Sequence, residues 1–152
     1  MNTTRRIVNG LCSACVGLLS IGSAVAATAN LPKVQQYAGT PYISGGVSID
    51  EREALLQMSR DDNLQLIFAA QNGEYLSDVN VAITKSNGQQ VLSTMAQGPW
   101  LFTKLPAGTY RVTAEAKGYS LHRVVHVPRS GQTGVLLSWD NSILKPSSMA
   151  SK

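Results

Sequence analysis

Beyond its first 26 residues the chain has no cysteine: Cys12 and Cys15 both fall inside an N-terminal stretch that reads as an export signal. That excludes disulfides, a cysteine nucleophile, haem attachment and thiolate metal centres from the remainder. Histidine is nearly as scarce, with only His122 and His126. Neither sign of charge accumulates. Thirteen Lys and Arg against nine Asp and Glu give +4, and two of the positive charges, Arg5 and Arg6, leave with the signal. No basic block or nucleic-acid signature is present, so no nucleic acid is expected as a partner. There is no internal repeat, and no second apolar run follows the first, so no membrane span is expected after cleavage. A Gly-x-Ser-x-Gly elbow is missing too, since Gly118-Tyr119-Ser120-Leu121-His122 fails at its last position.

What is there begins with an address. Arg5 and Arg6 supply a basic start, Leu11 to Val25 is apolar or small, and Ala24-Val25-Ala26 offers a small-x-small cleavage site. The apolar core is shorter than the ~20 residues a span needs. Thr4-Arg5-Arg6 looks like a twin-arginine signal, but Asn9 and Gly10 stand where an apolar and a basic residue are usual. Residues 1–26 are therefore expected to be a signal peptide cut after Ala26, and the product to be periplasmic or secreted.

Residues 27–46 contain Pro32, Gly39, Pro41 and Gly45 and no periodicity, and read as an extended leader. Ser48-Ile49-Asp50-Glu51 is a capping box, which predicts a helix of two to three turns from about Ile49 to Ser59 within a 47–63 segment packed on the domain. Leu64 to Ala70 is nearly all apolar, as in a strand buried on both faces. Val79, Val81 and Ile83 alternate with polar or small residues, and Asn87-Gly88 is a hairpin turn leading into Gln90 to Met95. Trp100 to Leu105, Tyr110 to Ala116, Leu121 to Val127 and a strand through Val135, Leu137 and Trp139 complete seven strands over residues 64–139. Turn signals every ~8–12 residues suit a sandwich. Residues 140–152 are polar and read as a frayed tail.

Gly73 to Tyr119 resembles the carboxypeptidase regulatory-like domain. The resemblance rests on a Val-x-Val-x-Ile strand, a Gly-containing hairpin, Leu105-Pro106-Ala107-Gly108-Thr109-Tyr110, and Ala116-Lys117-Gly118-Tyr119. The closing strands extend it to about Trp139. It implies a mostly β fold, a single seven-stranded transthyretin-like β-sandwich with one short N-terminal helix, acting as an accessory or binding module without catalysis. Family members usually carry Thr-Asp-x-x-Gly before the aromatic strand. Here Ser93 to Pro99 lacks that acidic residue, and with it a group that would bind calcium or hold the turn.

Candidate ligand-binding residues are Trp100, Tyr75, Tyr119, His122, Arg123 and His126. An exposed Trp100 beside Gly98-Pro99 would stack on a sugar ring or anchor a peptide. Alternation instead places Trp100 with Phe102 on one face, plugging the core beneath the Leu-Pro-Ala-Gly turn. His122 and His126 share one side of a strand ~13 Å apart, too far to hold one metal, and are expected to face solvent or bond locally. Arg123 shares the expected core face, which a bulge, a strand end or a buried ion pair would explain. Asp50-Glu51-Glu53 and Asp61-Asp62-Asn63 lack the alternating pattern of a cation loop.

No cofactor and no metal are expected. The expected function is a non-catalytic envelope protein that docks a protein or a polysaccharide, with an open edge strand as the docking place. A carbohydrate-binding module built on Trp100 and the tyrosines is the alternative. A second alternative is a transthyretin-related hydrolase. The hydroxyisourate hydrolases resemble this chain only in architecture, because their His and Arg set and Tyr-Arg-Gly-Ser terminus have no counterpart here. The oligomeric state is not legible in the sequence.

Overall fold

The structure, a computed structural model, describes residues 31–145. The expected signal, 1–26, and residues 146–152 of the expected tail lie outside the described residues. Nine strands form two sheets: β1 (Gln35–Tyr37), β2 (Thr40–Gly45), β3 (Leu64–Ala70), β4 (Val79–Lys85), β5 (Gln90–Ala96), β6 (Trp100–Thr103), β7 (Gly108–Ala116), β8 (Tyr119–Val127) and β9 (Thr133–Trp139). The helix α1 (Ile49–Met58) joins β2 to β3. One sheet runs β1-β2-β6-β3-β9 and the other β5-β4-β7-β8. All pairs are antiparallel except β3 with β9, which run parallel over Leu64↔Thr133 to Ala70↔Trp139.

The mostly β sandwich with one helix is as expected, but the strand count is nine, not seven. The two additions, β1 and β2, fall in what reads as an extended leader. Ala38 and Gly39 turn them back on each other at φ 47° and 82°, the positive pair of a tight hairpin turn. β2 then pairs with β6. It shows no sequence alternation because both of its faces are covered: Tyr42 points into the main core and Ile43 toward α1.

The main core fills the space between the sheets. Leu66 and Phe68 of β3, Val79, Val81 and Ile83 of β4, Val112 and Ala114 of β7, and Leu137 and Trp139 of β9 meet there. Burying each large apolar side chain is worth ~1.5–3 kcal/mol before entropy is counted. A smaller cluster, Ile43, Leu55 and Phe102 with half-buried Trp100, lies on the outer face of the five-stranded sheet beneath α1. Trp100 and Phe102 do share a face, as alternation requires. That face is the helix-covered one, so they do not plug the core beneath the Leu-Pro-Ala-Gly turn.

Local chemistry explains the connections. Ser48 Oγ accepts from Glu51 N–H (3.2 Å), while the Glu51 carboxylate reaches Val47 N–H (2.9 Å), one residue before the expected partner. The Leu-Pro-Ala-Gly-Thr-Tyr element is held from both ends. Tyr110 is buried and its hydroxyl donates to Pro106 O (2.6 Å). The Asn63 amide clamps both the C=O (2.7 Å) and the N–H (2.9 Å) of Leu105. At Gly98 a Cβ would stand 2.4 Å from the Gly45 backbone, so only glycine lets this loop cross the end of β2. Part of the expected tail is ordered: Asn141–Leu144 forms a 3-10 turn capped by Asp140, and Ile143 joins the core.

Candidate functional site

The six candidate residues divide between two places. Trp100 and Tyr75 lie at the N-terminal end of α1, on the outer face of the five-stranded sheet. Tyr119, His122, Arg123 and His126 lie along β8, in the other sheet.

At the first place Arg52 of α1 is the organiser, and sequence reasoning missed it. Its guanidinium carbon lies 4.9 Å from the Tyr75 ring centre and 5.8 Å from that of Trp100, and its Nε donates to Gly46 O (2.7 Å). Cation–π contacts of this kind are worth ~0.5–2 kcal/mol each. The Trp100 ring meets Phe102 edge-on at 6.1 Å and closes against Gly46, where a Cβ would come within 3.3 Å of it. Trp100 is thus wedged between sheet, glycine and arginine, and does not offer a flat platform to a sugar. Its Nε1 is buried and has no hydrogen-bond partner among the described residues. Tyr75 keeps its outer side exposed. No periodicity marks Arg52, whose role depends on where α1 sits.

At the second place the histidines face solvent. His122 Nδ1 shares a hydrogen bond with Thr113 Oγ1 (3.1 Å), and His126 Nδ1 with Thr109 Oγ1 (2.9 Å), each across the β7–β8 ladder. No bulge brings Arg123 out of the core: the register with β7 is unbroken. β8 is an edge strand, so Arg123 swings outward and donates to His122 O (3.1 Å). Tyr119 is exposed, and its carbonyl accepts from Trp139 Nε1 (2.8 Å). Among the described residues no three His, Cys, Asp or Glu side chains converge, and no helix is long and apolar enough to cross a membrane.

A third feature is the row of strand edges, legible only once strand order is known. β1 is three residues long. β5 is tied to the opposite sheet by Gln90 to Tyr37 Oη (3.2 Å), Thr94 to Tyr42 Oη (3.0 Å) and Gln97 N–H to Ser44 Oγ (3.2 Å). On β8, His122 O is capped by Arg123 and His126 O by Thr133 Oγ1 (3.1 Å). β9 carries no charge, no proline and no bulge. Thr133 N–H bonds to Asn63 O and Trp139 O accepts from Gln71 N–H, so the odd-numbered peptide groups face β3. Gly134, Leu136 and Ser138 consequently present their N–H and C=O outward. Leu136 is 57 % exposed beside them.

Two packed sheets, a helix over one of them and open surface over the other define a β-sandwich module. Residues 67–138, from β3 to the end of β9, match the family model of the carboxypeptidase regulatory-like domain, and the chain carries such a domain over that stretch. No curated protein matches the chain in sequence. β1, β2 and α1 lie outside the matched residues, yet they complete the five-stranded sheet and cover its outer face.

Proposed function

We propose that this protein is an exported, non-catalytic binding module of the cell envelope that docks a partner protein by adding one of the partner's strands to β9. The observation that carries the reading is the contrast among the edges: β1 is short, β5 and β8 are tied or capped, and β9, joined to β8 through the Thr133 and Trp139 side chains, keeps its own outward peptide groups uncapped among the described residues. Soluble domains usually blunt an exposed edge with charge, proline, a bulge or shortness. An edge left bare over seven residues is suited to strand addition, in which main-chain groups supply affinity and alternate side chains supply specificity. Leu136, on the outer face next to Ile67, offers the apolar contact such a strand needs.

A photo-crosslinking amino acid placed at Leu136, and separately at Val124 on β8, tests this in the exporting host. The expected result is one defined protein adduct from position 136, none from 124, and loss of the adduct when Gly134→Pro is added. A proline there removes an outward N–H and leaves the β3 ladder intact. Equal adducts from both positions, or adducts indifferent to the proline, would overturn the reading. The mass of the purified protein from the same cells checks cleavage after Ala26.

A further inference from the structure

At the C-terminal end of α1, away from the aromatic wedge, a cleft of about 420 Å³ opens between three segments: the Arg60–Asn63 turn, the residue after β6, and the loop from β8 to β9. Each segment contributes one cation: Arg60, Lys104 and Arg129. The carboxylates lining it are Asp61 and Asp62, and the one apolar side chain is Leu56. We infer that this cleft binds a small hydroxylated organic anion, a carboxylate or phosphate on a sugar-sized body, held by Arg60, Lys104 and Arg129.

Three arguments support the assignment. The volume falls in the ~300–1,000 Å³ range of small-molecule sites. The walls are fixed rather than loose. Asn63 is clamped to Leu105 at 2.7 and 2.9 Å, Gln132 Nε2 donates to Asp62 O (3.2 Å), and Thr133 N–H donates to Asn63 O (2.9 Å). The chemistry of the lining is cationic and hydrogen-bonding, which suits an anion with hydroxyls and offers little to an apolar ligand.

Asp62 sets the pH response. Burial pushes its carboxyl up to about 6, with Asp61 adding to the rise and Lys104 opposing it. Arg60 and Arg129 are the other charged groups lining the same cleft, and Gln132 is the neutral donor against the Asp62 backbone. When Asp62 takes a proton, one negative charge leaves a site that holds three positive ones. Anion affinity should then rise from pH 7.5 to pH 5.5 by ~5-fold, the order of effect of one unit charge at such range in partly wet protein.

Backbone-amide NMR of the full exported chain, titrated with glucuronate, glucose and inorganic phosphate, tests the inference. Saturable shifts at residues 60–63 and 129–132 with glucuronate but not glucose are expected, ~5-fold tighter at pH 5.5. Shifts with phosphate alone would keep the site and assign it to phosphate esters. Lys104→Ala with Arg129→Ala, both exposed positions, should abolish the shifts while the spectrum stays folded. Asp62→Asn should bind at pH 7.5 as tightly as the parent does at 5.5. No saturable shift with either anion, equal shifts with glucose, or a pH dependence that survives Asp62→Asn would overturn the inference. None of these outcomes bears on strand addition at β9.

Discussion

β8 and β9 flank the same side of the sandwich, one in each sheet, and they are finished in opposite ways. β8 is nine residues long, with Arg123 folded back onto its own edge carbonyl and Thr133 capping another. β9 is seven residues long and uncharged, with its outward peptide groups free of side-chain caps among the described residues. Two of the three bonds that guard β8 come from β9 itself, through Thr133 and Trp139. β9 thus spends its side chains on its neighbour and leaves its own backbone open. An edge is guarded by what lies beside it as much as by its own residues.

The largest effect should come from cutting the stitch between the two edges. Trp139 is buried, leans on Phe68 with ring centres 6.4 Å apart, and donates to Tyr119 O. Trp139→Ala should lower unfolding free energy by about 3–5 kcal/mol in denaturant titrations. Trp139→Phe retains the packing and loses the bond, at about 1 kcal/mol. If the two variants unfold alike, the stitch matters more than the core contact, and the contrast between edges needs redrawing.

Guarding β9 should come next. Leu136→Lys places a charge beside the open edge, and partner binding should weaken at least ~10-fold while stability moves by no more than about 0.5 kcal/mol, as at an exposed site. Arg123→Val does the reverse to β8. It uncaps His122 O and puts a β-former on the edge, so concentration-dependent self-association should increase in sedimentation velocity. An Arg123→Val protein that stays as monodisperse as its parent would show that the guanidinium is not the guard of that edge.

These edges could not be read from residues alone, although the strands could. Tyr110, Val112 and Ala114 alternate with Arg111, Thr113 and Glu115 because the four-stranded sheet buries one face and wets the other. β2 has both faces covered and a proline near its start, and it is entered through Ala38, a residue with no turn signature, so it reads as leader. Ile143 is invisible for a similar reason, since a four-residue 3-10 turn has no period to detect. The candidate site fared according to how local its chemistry was. His122 and His126 are placed by the period of one strand. Arg52 meets Tyr75 and Trp100 at one end of α1, and Lys104 meets Arg60 and Arg129 at the other, only through packing between segments far apart in sequence.

The smallest predicted effect concerns the loop that joins the two edges, where Gln132 leans on the Asp62 backbone. In the folded protein burial pushes the Asp62 carboxyl up to about 6, against 3.8 when solvated, so the folded state holds this proton more tightly than the unfolded one. Between those two values folding takes up a proton, and stability must fall as pH rises through the window. The cost is complete above pH ~6 and absent below pH ~4. Because Asp62 is only half-buried, solvent screening keeps this cost a small part of the total stability. Asp62→Asn removes the charge without changing shape, so its melting temperature should exceed the parent's by a few degrees at pH 7.5. That advantage should shrink toward zero by pH 4, and an advantage that is the same at both pH values would mean that Asp62 is not a buried acid at all.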